Sequence, residues 1–296
     1  MNDKLTYIII PTHNRWERLS CLLKQIEGQI LKYDNIKVIV VADGCTDKTL
    51  IGLSEEFPNV EIVIGNGTWW FTKSINEGIK YAINFSPDFI LTLNDDVELK
   101  NDYLEQLFKA INSKNDKCLI GSTSFSAGKT HLLTFSGIKN IIKWRMKHEY
   151  YHEYYSNGLY GNLTGIYESI TLPTRGLLIP AQIFRNSLYF DESMPQYGSD
   201  YDFVFKARKL DYKIFISWDA VIFEYTKLTG QGSPILKESF YKFHKNLFNK
   251  YAKNFIKKDL KMIIRHYRTI LLPITLSIYF IGLYYTYFKY IFSRKY

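Results

Sequence analysis

The sequence predicts an α/β fold in which a mostly parallel sheet is flanked by helices. Two observations lead there. Short β-branched apolar runs alternate with longer amphipathic segments through the first hundred residues, and three of those runs end in clusters of polar side chains. A third observation bounds the answer: 296 residues with 46% hydrophobic content can bury a substantial core, which fits one large domain with an appendage and excludes a disordered chain.

Leu5 to Ile10 opens the series as a buried strand, followed by Pro11-Thr12-His13-Asn14-Arg15 and a helix over 15–30. Ile36 to Val41 is the second strand, and it runs into Asp43-Gly44-Cys45-Thr46-Asp47 and a helix over 46–56. Val60 to Ile64 precedes a helix over 72–84, and Phe89 to Leu93 ends in Asn94-Asp95-Asp96 before a helix over 100–113. Such a βαβ series places ligands beyond the carboxyl ends of its strands, where the polar clusters stand.

From about Thr123 to Ser169 the pattern is irregular and rich in tyrosine, centred on His148-Glu149-Tyr150-Tyr151-His152-Glu153-Tyr154-Tyr155. It reads as an insertion or hairpin that forms an aromatic packing surface in preference to a ligand-stacking one. Regular structure resumes with a strand at Arg175 to Ile179, helices near 181–187 and 199–209, and short strands at Lys213 to Ile216 and Ala220 to Phe223. A basic helix from Lys237 to Arg268 and an uncharged run from Thr269 to Phe288 close the chain.

The net charge of +9 is confined to that last part: from Lys237 onward thirteen Lys and Arg face two acids, Glu238 and Asp259. A basic tail beside an aromatic apolar run implies an anionic membrane surface as partner in preference to nucleic acid. The uncharged run has the length of a membrane span, but Pro273, Gly282 and several tyrosines favour a helix lying in the interface. Cys21, Cys45 and Cys118 show neither disulfide nor zinc spacing, and Met1 to Lys4 opens no signal peptide, so a reducing, cytoplasmic setting is expected.

Three constellations carry chemistry. Asp43 ends a strand with Gly44 permitting a tight turn, so its carboxylate either accepts from an N–H of a bound base or caps the next helix. Asn94-Asp95-Asp96 offers hard oxygen ligands suited to Mg²⁺ or Mn²⁺, or else forms a solvated turn. Gly198-Ser199-Asp200-Tyr201-Asp202 begins a helix, where Ser199 or Asp200 either caps it or presents an ionised base stabilised by the helix dipole. No G-x-G-x-x-G follows the first strand, which argues against a dinucleotide-dependent oxidoreductase.

Taken in order, these motifs resemble the family 2 glycosyltransferases of the GT-A fold, especially the rhamnosyltransferase-like branch that builds bacterial surface polysaccharides. The likeness covers about residues 5–250 and includes Gly65-Asn66-Gly67-Thr68-Trp69-Trp70 leading to Asn76-Glu77-Gly78. It implies a GT-A catalytic domain over 1–236, with nucleotide-sugar binding over 1–122 and the acceptor side and base over 123–236; the charge and apolar pattern add a membrane-associated helical tail over 237–296. It further implies inverting, metal-dependent transfer from a nucleotide diphosphate sugar to a saccharide or lipid-linked acceptor at the cytoplasmic face of the bacterial inner membrane. A catalytically silent nucleotide-sugar-binding protein is the alternative.

By this resemblance Pro11, Thr12, Asn14, Arg15, Asp43, Gly44, Trp69, Trp70, Asn76 and Asp95 bind the nucleotide sugar. Asp96 and Asn94 hold the divalent metal, and Asp200 is the catalytic base. Two departures stand out. Asn94 replaces an acid in the metal motif, and no histidine follows the last strand, where Glu224-Tyr225-Thr226 stands instead.

Overall fold

The computed structural model describes residues 4–114, 117–128, 132–154, 164–225, 239–267 and 270–293. Residue alternation along the first strands builds two hydrophobic cores. Ile8, Ile10, Val38, Val40 and Leu91 face one side of the central sheet, while Tyr7, Ile9, Ile39, Val41 and Ile90 face the other. Side chains of a strand point alternately up and down, so a strand that is apolar on both faces is one covered on both faces.

The series runs β1 (Thr6–Thr12), α1 (Trp16–Ile30), β2 (Ile36–Asp43), α2 (Thr49–Glu56), β3 (Glu61–Gly65), α3 (Trp70–Ile83), β4 (Phe89–Thr92), β5 (Val97–Leu99) and α4 (Tyr103–Asn112). β1 pairs in parallel with β2 and β4, and β2 with β3, as a βαβ series requires. α1 lays Leu19, Leu22, Leu23 and Ile26 on the first core, and α4 adds Leu104, Leu107, Phe108 and Ile111. At about 1.5–3 kcal/mol for each fully buried side chain, these helices are held chiefly by packing.

The chain then forms β6 (Cys118–Ser126), β7 (Leu133–Phe135), the hairpin β8 (Ile138–Ile142) and β9 (Lys147–Tyr150), the short α5 (Tyr151–Tyr154), β10 (Ile166–Glu168), β11 (Leu177–Pro180), α6 (Gln182–Arg185), α7 (Ser199–Lys209) and β12 (Lys213–Glu224). The sheet order is β10-β12-β6-β11-β4-β1-β2-β3, with β5 and β7 added at its flanks. β11 runs antiparallel to both β4 and β6, as do β10 and β5 to β12. The sheet is therefore mixed: β1 to β4 pair in parallel as expected and β12 pairs in parallel with β6, while β11, inserted between β4 and β6, and the flanking β5, β7 and β10 run antiparallel.

Three further differences have local causes. The two short strands read near 213 and 220 are one strand, β12, with an irregularity between Ser217 and Val221 that interrupts the alternation. β6 escaped the reading because Gly121 and the Ser and Thr residues of Gly121-Ser122-Thr123-Ser124 hide an apolar pattern, although these residues are buried. The single basic helix is two, α8 (Phe240–Leu247) and α9 (Ile256–His266), followed by α10 (Leu272–Ser293). The boundary drawn at 236/237, the end of the Tyr155 cluster and Thr226 lie outside the described residues. Among the described residues no helix is long and apolar enough to cross a membrane.

Candidate active site

A cavity of about 910 Å³ opens beyond the carboxyl ends of β1, β2 and β4, within the size range of small-ligand sites. Part of its wall is an acid pair. Thr12 Oγ1 donates to Asp95 Oδ2 at 2.7 Å, and Arg15 Nη1 lies 2.9 Å from Asp95 Oδ1 and 3.3 Å from Asp96 Oδ2. Both carboxylates are buried, at 5% and 4% exposure. Burial and the neighbouring Asp95 push the Asp96 carboxyl up to about 6, against the pull of Arg15. Burial likewise raises Asp95, opposed by Arg15 and Thr12.

Asp96 Oδ1 and Asn94 Oδ1 are buried polar atoms with no hydrogen-bond partner among the described residues. Two orphaned oxygens beside a raised carboxyl fit a hard divalent cation, which would relieve both the unsatisfied acceptors and the crowded charge. No group of three His, Cys, Asp or Glu side chains that could hold a metal is present among the described residues, so a cation at this pair would need further ligands from outside the protein.

α7 forms another part of the cavity wall with its first turn. Its N-cap is Gly198, in a left-handed conformation with φ +88°, so Ser199 and Asp200 are not caps but first-turn residues. Asp200 lines the cavity, while Ser199 turns inward to share a 2.7 Å hydrogen bond with Thr72. Burial raises the Asp200 carboxyl above its ordinary range, partly offset by a backbone hydrogen bond from Tyr201 and by the charges of Arg175 and Lys258. Asp202 points elsewhere, fully buried against α9.

Pro11, Arg15, Asp43 and Trp70 also line the cavity. Both Asp43 oxygens are occupied: Oδ1 accepts from Gly67 N at 2.7 Å, and Oδ2 accepts from Trp69 N at 2.8 Å and Trp70 N at 3.0 Å. Asp43 thus closes the orphan amides at the start of α3 across space, a capping task that leaves only its spare lone pairs for a base. Gly44, at φ +62°, has no room for a side chain, since a Cβ there would stand 2.4 Å from Gly67 Cα.

Four expected donor residues lie off the cavity wall. Asn14 Oδ1 accepts from the amides of Thr46 and Asp47, fixing the turn after β2, and Gly44 makes the close approach just described. Trp69 packs against the second core, with Lys73 5.4 Å from its ring centre. Asn76, 2% exposed, exchanges hydrogen bonds with Phe190 and reaches Glu192 at 2.9 Å.

The cavity also recruits residues from the tyrosine-rich middle, read from the sequence as a packing surface, of which His148 and Tyr150 reach the cavity wall, and residues of the tail. Met146, His148 and Tyr150 come from the β8–β9 hairpin, and Lys253, Lys258 and Tyr267 come from the tail. His148 and Tyr267 join these two walls through a 2.6 Å hydrogen bond. Arg175 enters between the walls, paired with Glu224 at 3.1 Å. Glu224 itself is fully buried and does not line the cavity. The only sequence signal for this pair was that each stands beside a strand end.

The profile described as Glycosyl transferase family 2 matches residues 7–181. Hyaluronan synthase of Streptococcus pyogenes is 24% identical over 185 residues, covering 60% of this chain and 42% of that protein. The chain therefore matches less than half the length of this curated relative. Among solved structures, GalNAc-T7 with UDP, GalNAc and Mn²⁺ superposes with a TM-score of 0.62 at 14% identity, covering 90% of this chain and 56% of that one. S. aureus TarS 1–349 gives 0.54 at 16%, covering 87% and 72%. These likenesses establish a GT-A-like mixed α/β fold.

Proposed function

The chain belongs to glycosyl transferase family 2, and we propose that it transfers a sugar from a nucleoside diphosphate sugar to a hydroxyl of a saccharide acceptor, with inversion, in bacterial surface polysaccharide synthesis. The observation that carries this reading is that the Asp95–Asp96 acid pair and Asp200 line one cavity. Two carboxyl sites in one cavity, each raised above its ordinary range, suit a donor held at the acid pair and an acceptor hydroxyl deprotonated at Asp200.

In this reading Thr12 and Arg15 set the orientation of Asp95 for the nucleoside and ribose. Asn94 and Asp96 would hold a Mg²⁺ or Mn²⁺ ion, which supplies charge neutralisation for the departing diphosphate. The acceptor oxygen bonds to the anomeric carbon as that carbon's bond to the diphosphate oxygen breaks, and the acceptor proton passes to Asp200. The first turn of α7 favours the ionised base before transfer. Assignment to the rhamnosyltransferase-like branch rests on the Trp69-Trp70 motif.

The tail supports action at a membrane surface on a lipid-linked acceptor. Ile270 and Ile281 are 97% and 68% exposed, beside the basic α8 and α9. Apolar side chains open to solvent next to lysines fit an interfacial helix. GalNAc-T7 and TarS have both been solved with UDP, which makes UDP-sugars the first donors to try.

The test is hydrolysis and binding of a panel of nucleotide sugars by the purified chain, with and without Mn²⁺. Saturable, metal-stimulated release of nucleoside diphosphate from one donor is expected. Binding without any turnover, even with polysaccharide primers present, would favour the silent binding protein, and no nucleotide binding at all would refute both readings.

A further inference from the structure

Arg175 is a cation of the cavity wall. Its side chain is 11% exposed and its charge bears on both Asp96 and Asp200. Its backbone is held on both sides by β4, the strand that delivers the acid pair: Thr92 Oγ1 donates to Thr174 O at 2.5 Å, and Gly176 N donates to Thr92 O at 2.8 Å. Gly176 follows at φ +74°, where a Cβ would meet Ser122 Oγ at 2.6 Å, so the chain can turn here only with glycine. Arg175 is thus registered to Asn94-Asp95-Asp96 through one threonine.

Glu224 is its anchor. The carboxylate is fully buried, its Oε1 accepts from Ser124 Oγ at 3.3 Å, and its Oε2 lies 3.1 Å from Arg175 Nε, outside hydrogen-bond alignment. Phe135 lies beneath the guanidinium at 5.8 Å. Among the described residues no other acid forms an ion pair with Arg175, and no acceptor takes a hydrogen bond from it. A guanidinium carries five N–H donors in a rigid fork, so one carboxylate at Nε leaves the terminal pair directed into the cavity. Nε is a buried donor without a hydrogen-bond partner, and a side chain only 11% exposed has little water for its remaining donors, which an anion in the cavity would complete.

We propose that Arg175 is the phosphate clamp of this site, donating its terminal N–H groups to the β-phosphate of the donor nucleotide and to the charge that grows there as the diphosphate departs, with Glu224 as its positioning residue. This rests on the glycosyltransferase reading above. It also accounts for the missing histidine after β12: the strand-end position is occupied by Glu224, which anchors a cation and is not itself a ligand. A guanidinium fork matches two phosphate oxygens, which a lysine cannot do.

The experiment compares UDP, UMP and uridine binding to the full chain with Mn²⁺, by calorimetry, in wild type, Arg175→Gln, Arg175→Lys and Glu224→Gln; dTDP with dTMP, or GDP with GMP, replaces the uridine series if the wild type prefers that base. In the wild type, UDP binds more tightly than UMP. Arg175→Gln should lower UDP affinity about 10- to 100-fold while UMP changes less than about twofold, the range for a hydrogen bond to a charged group. Arg175→Lys keeps the charge opposite buried Glu224, so it tests the clamp even if the glutamine variant folds poorly, and it should recover only part of the loss. Glu224→Gln should reduce UDP affinity and leave UMP alone.

Equal UDP affinity in wild type and the folded Arg175→Lys and Arg175→Gln variants would overturn the clamp. So would a parallel loss for UMP and uridine, since that would mark a structural role. Selective loss of a uronic-acid donor such as UDP-glucuronate, with UDP and UDP-glucose unaffected, would overturn it too and place the anion on the sugar. Failure of the wild type to bind any nucleotide would instead sink the glycosyltransferase reading itself.

Discussion

His266 Nε2 lies 2.7 Å from Asp202 Oδ1, and both side chains are buried. Lys206 at 2.6 Å and Arg265 at 3.1 Å complete a clasp that joins α7 to α9, and Phe205 stacks on the His266 ring at 4.6 Å. The carboxylate two residues from Asp200 is thereby committed to holding the tail helix against the helix that carries the candidate base. Where a burial penalty alone would raise it, hydrogen bonds from His266 and Lys206 hold the Asp202 carboxyl well below its ordinary range.

That clasp predicts a stability cost with a definite pH sign. Asp202→Asn leaves His266, Arg265 and Lys206 without their anion, and with two of the partners partly exposed the cost should be about 2–4 kcal/mol by urea denaturation. Because the folded carboxyl is depressed, its contribution is complete above the unfolded value of roughly 3.9 and is lost as pH falls below it. The gap between wild type and variant should therefore close on acidification. A gap that persists unchanged at pH 3 would contradict the assignment.

The sequence made the first half of the fold legible because its strands are apolar on both faces and its helices carry one apolar stripe. Ile8 and Tyr7 differ only in which core they enter. The antiparallel insertion of β11 could not be read, since pairing partners are set by long-range packing and not by local pattern. At the site, strand-end acids such as Asp95 and Asp96 were visible as costly adjacent charges. Arg175 was not, because its importance lies in a partner 49 positions away that looks like an ordinary strand-end glutamate. Asn76 misled for the opposite reason: its polar atoms are spent on the loop at Phe190.

The two tryptophans should separate function from stability. Trp70 lines the cavity at φ +56° and stacks on Tyr251 with ring centres 4.1 Å apart, whereas Trp69 packs on the second core. A left-handed backbone costs a bulky residue on the order of 1–2 kcal/mol, so Trp70→Gly should leave melting temperature unchanged or higher while raising the KM for a sugar substrate severalfold. Trp69→Ala should destabilise by about 2–3 kcal/mol with little effect on KM in the folded fraction. Reversed outcomes would exchange the two roles.

Membrane docking should be electrostatic first and hydrophobic second. Co-sedimentation with vesicles containing anionic lipid should exceed that with neutral vesicles and fall as salt rises, since basic residues near such a surface contribute about 1 kcal/mol each. Ile270→Glu with Ile281→Glu, both at exposed positions, should weaken binding without altering the melting temperature. Equal recovery of wild type and double variant with anionic vesicles at low salt would remove the tail from the interface.

The sharpest prediction divides the carboxylates by role. Asp200 faces the cavity from the first turn of α7, and its raised carboxyl makes it a stronger base than an ordinary aspartate once ionised. Asp200→Asn should retain nucleotide binding and lose about two to four orders of magnitude in transfer, the range for removing a general base. Wild-type transfer should fall as pH drops through a value above the ordinary carboxylate range, because only the ionised form accepts the proton. Asp96→Asn should act differently, lowering metal-stimulated donor binding itself, because an oxygen orphaned in the folded protein loses its charge. Asp202→Asn, at a temperature where it stays folded, should keep most of its turnover. A folded Asp200→Asn enzyme with near wild-type transfer, beside an Asp202→Asn enzyme that binds donor yet is inactive, would move the base to the clasp and leave the cavity-facing carboxylate without its role.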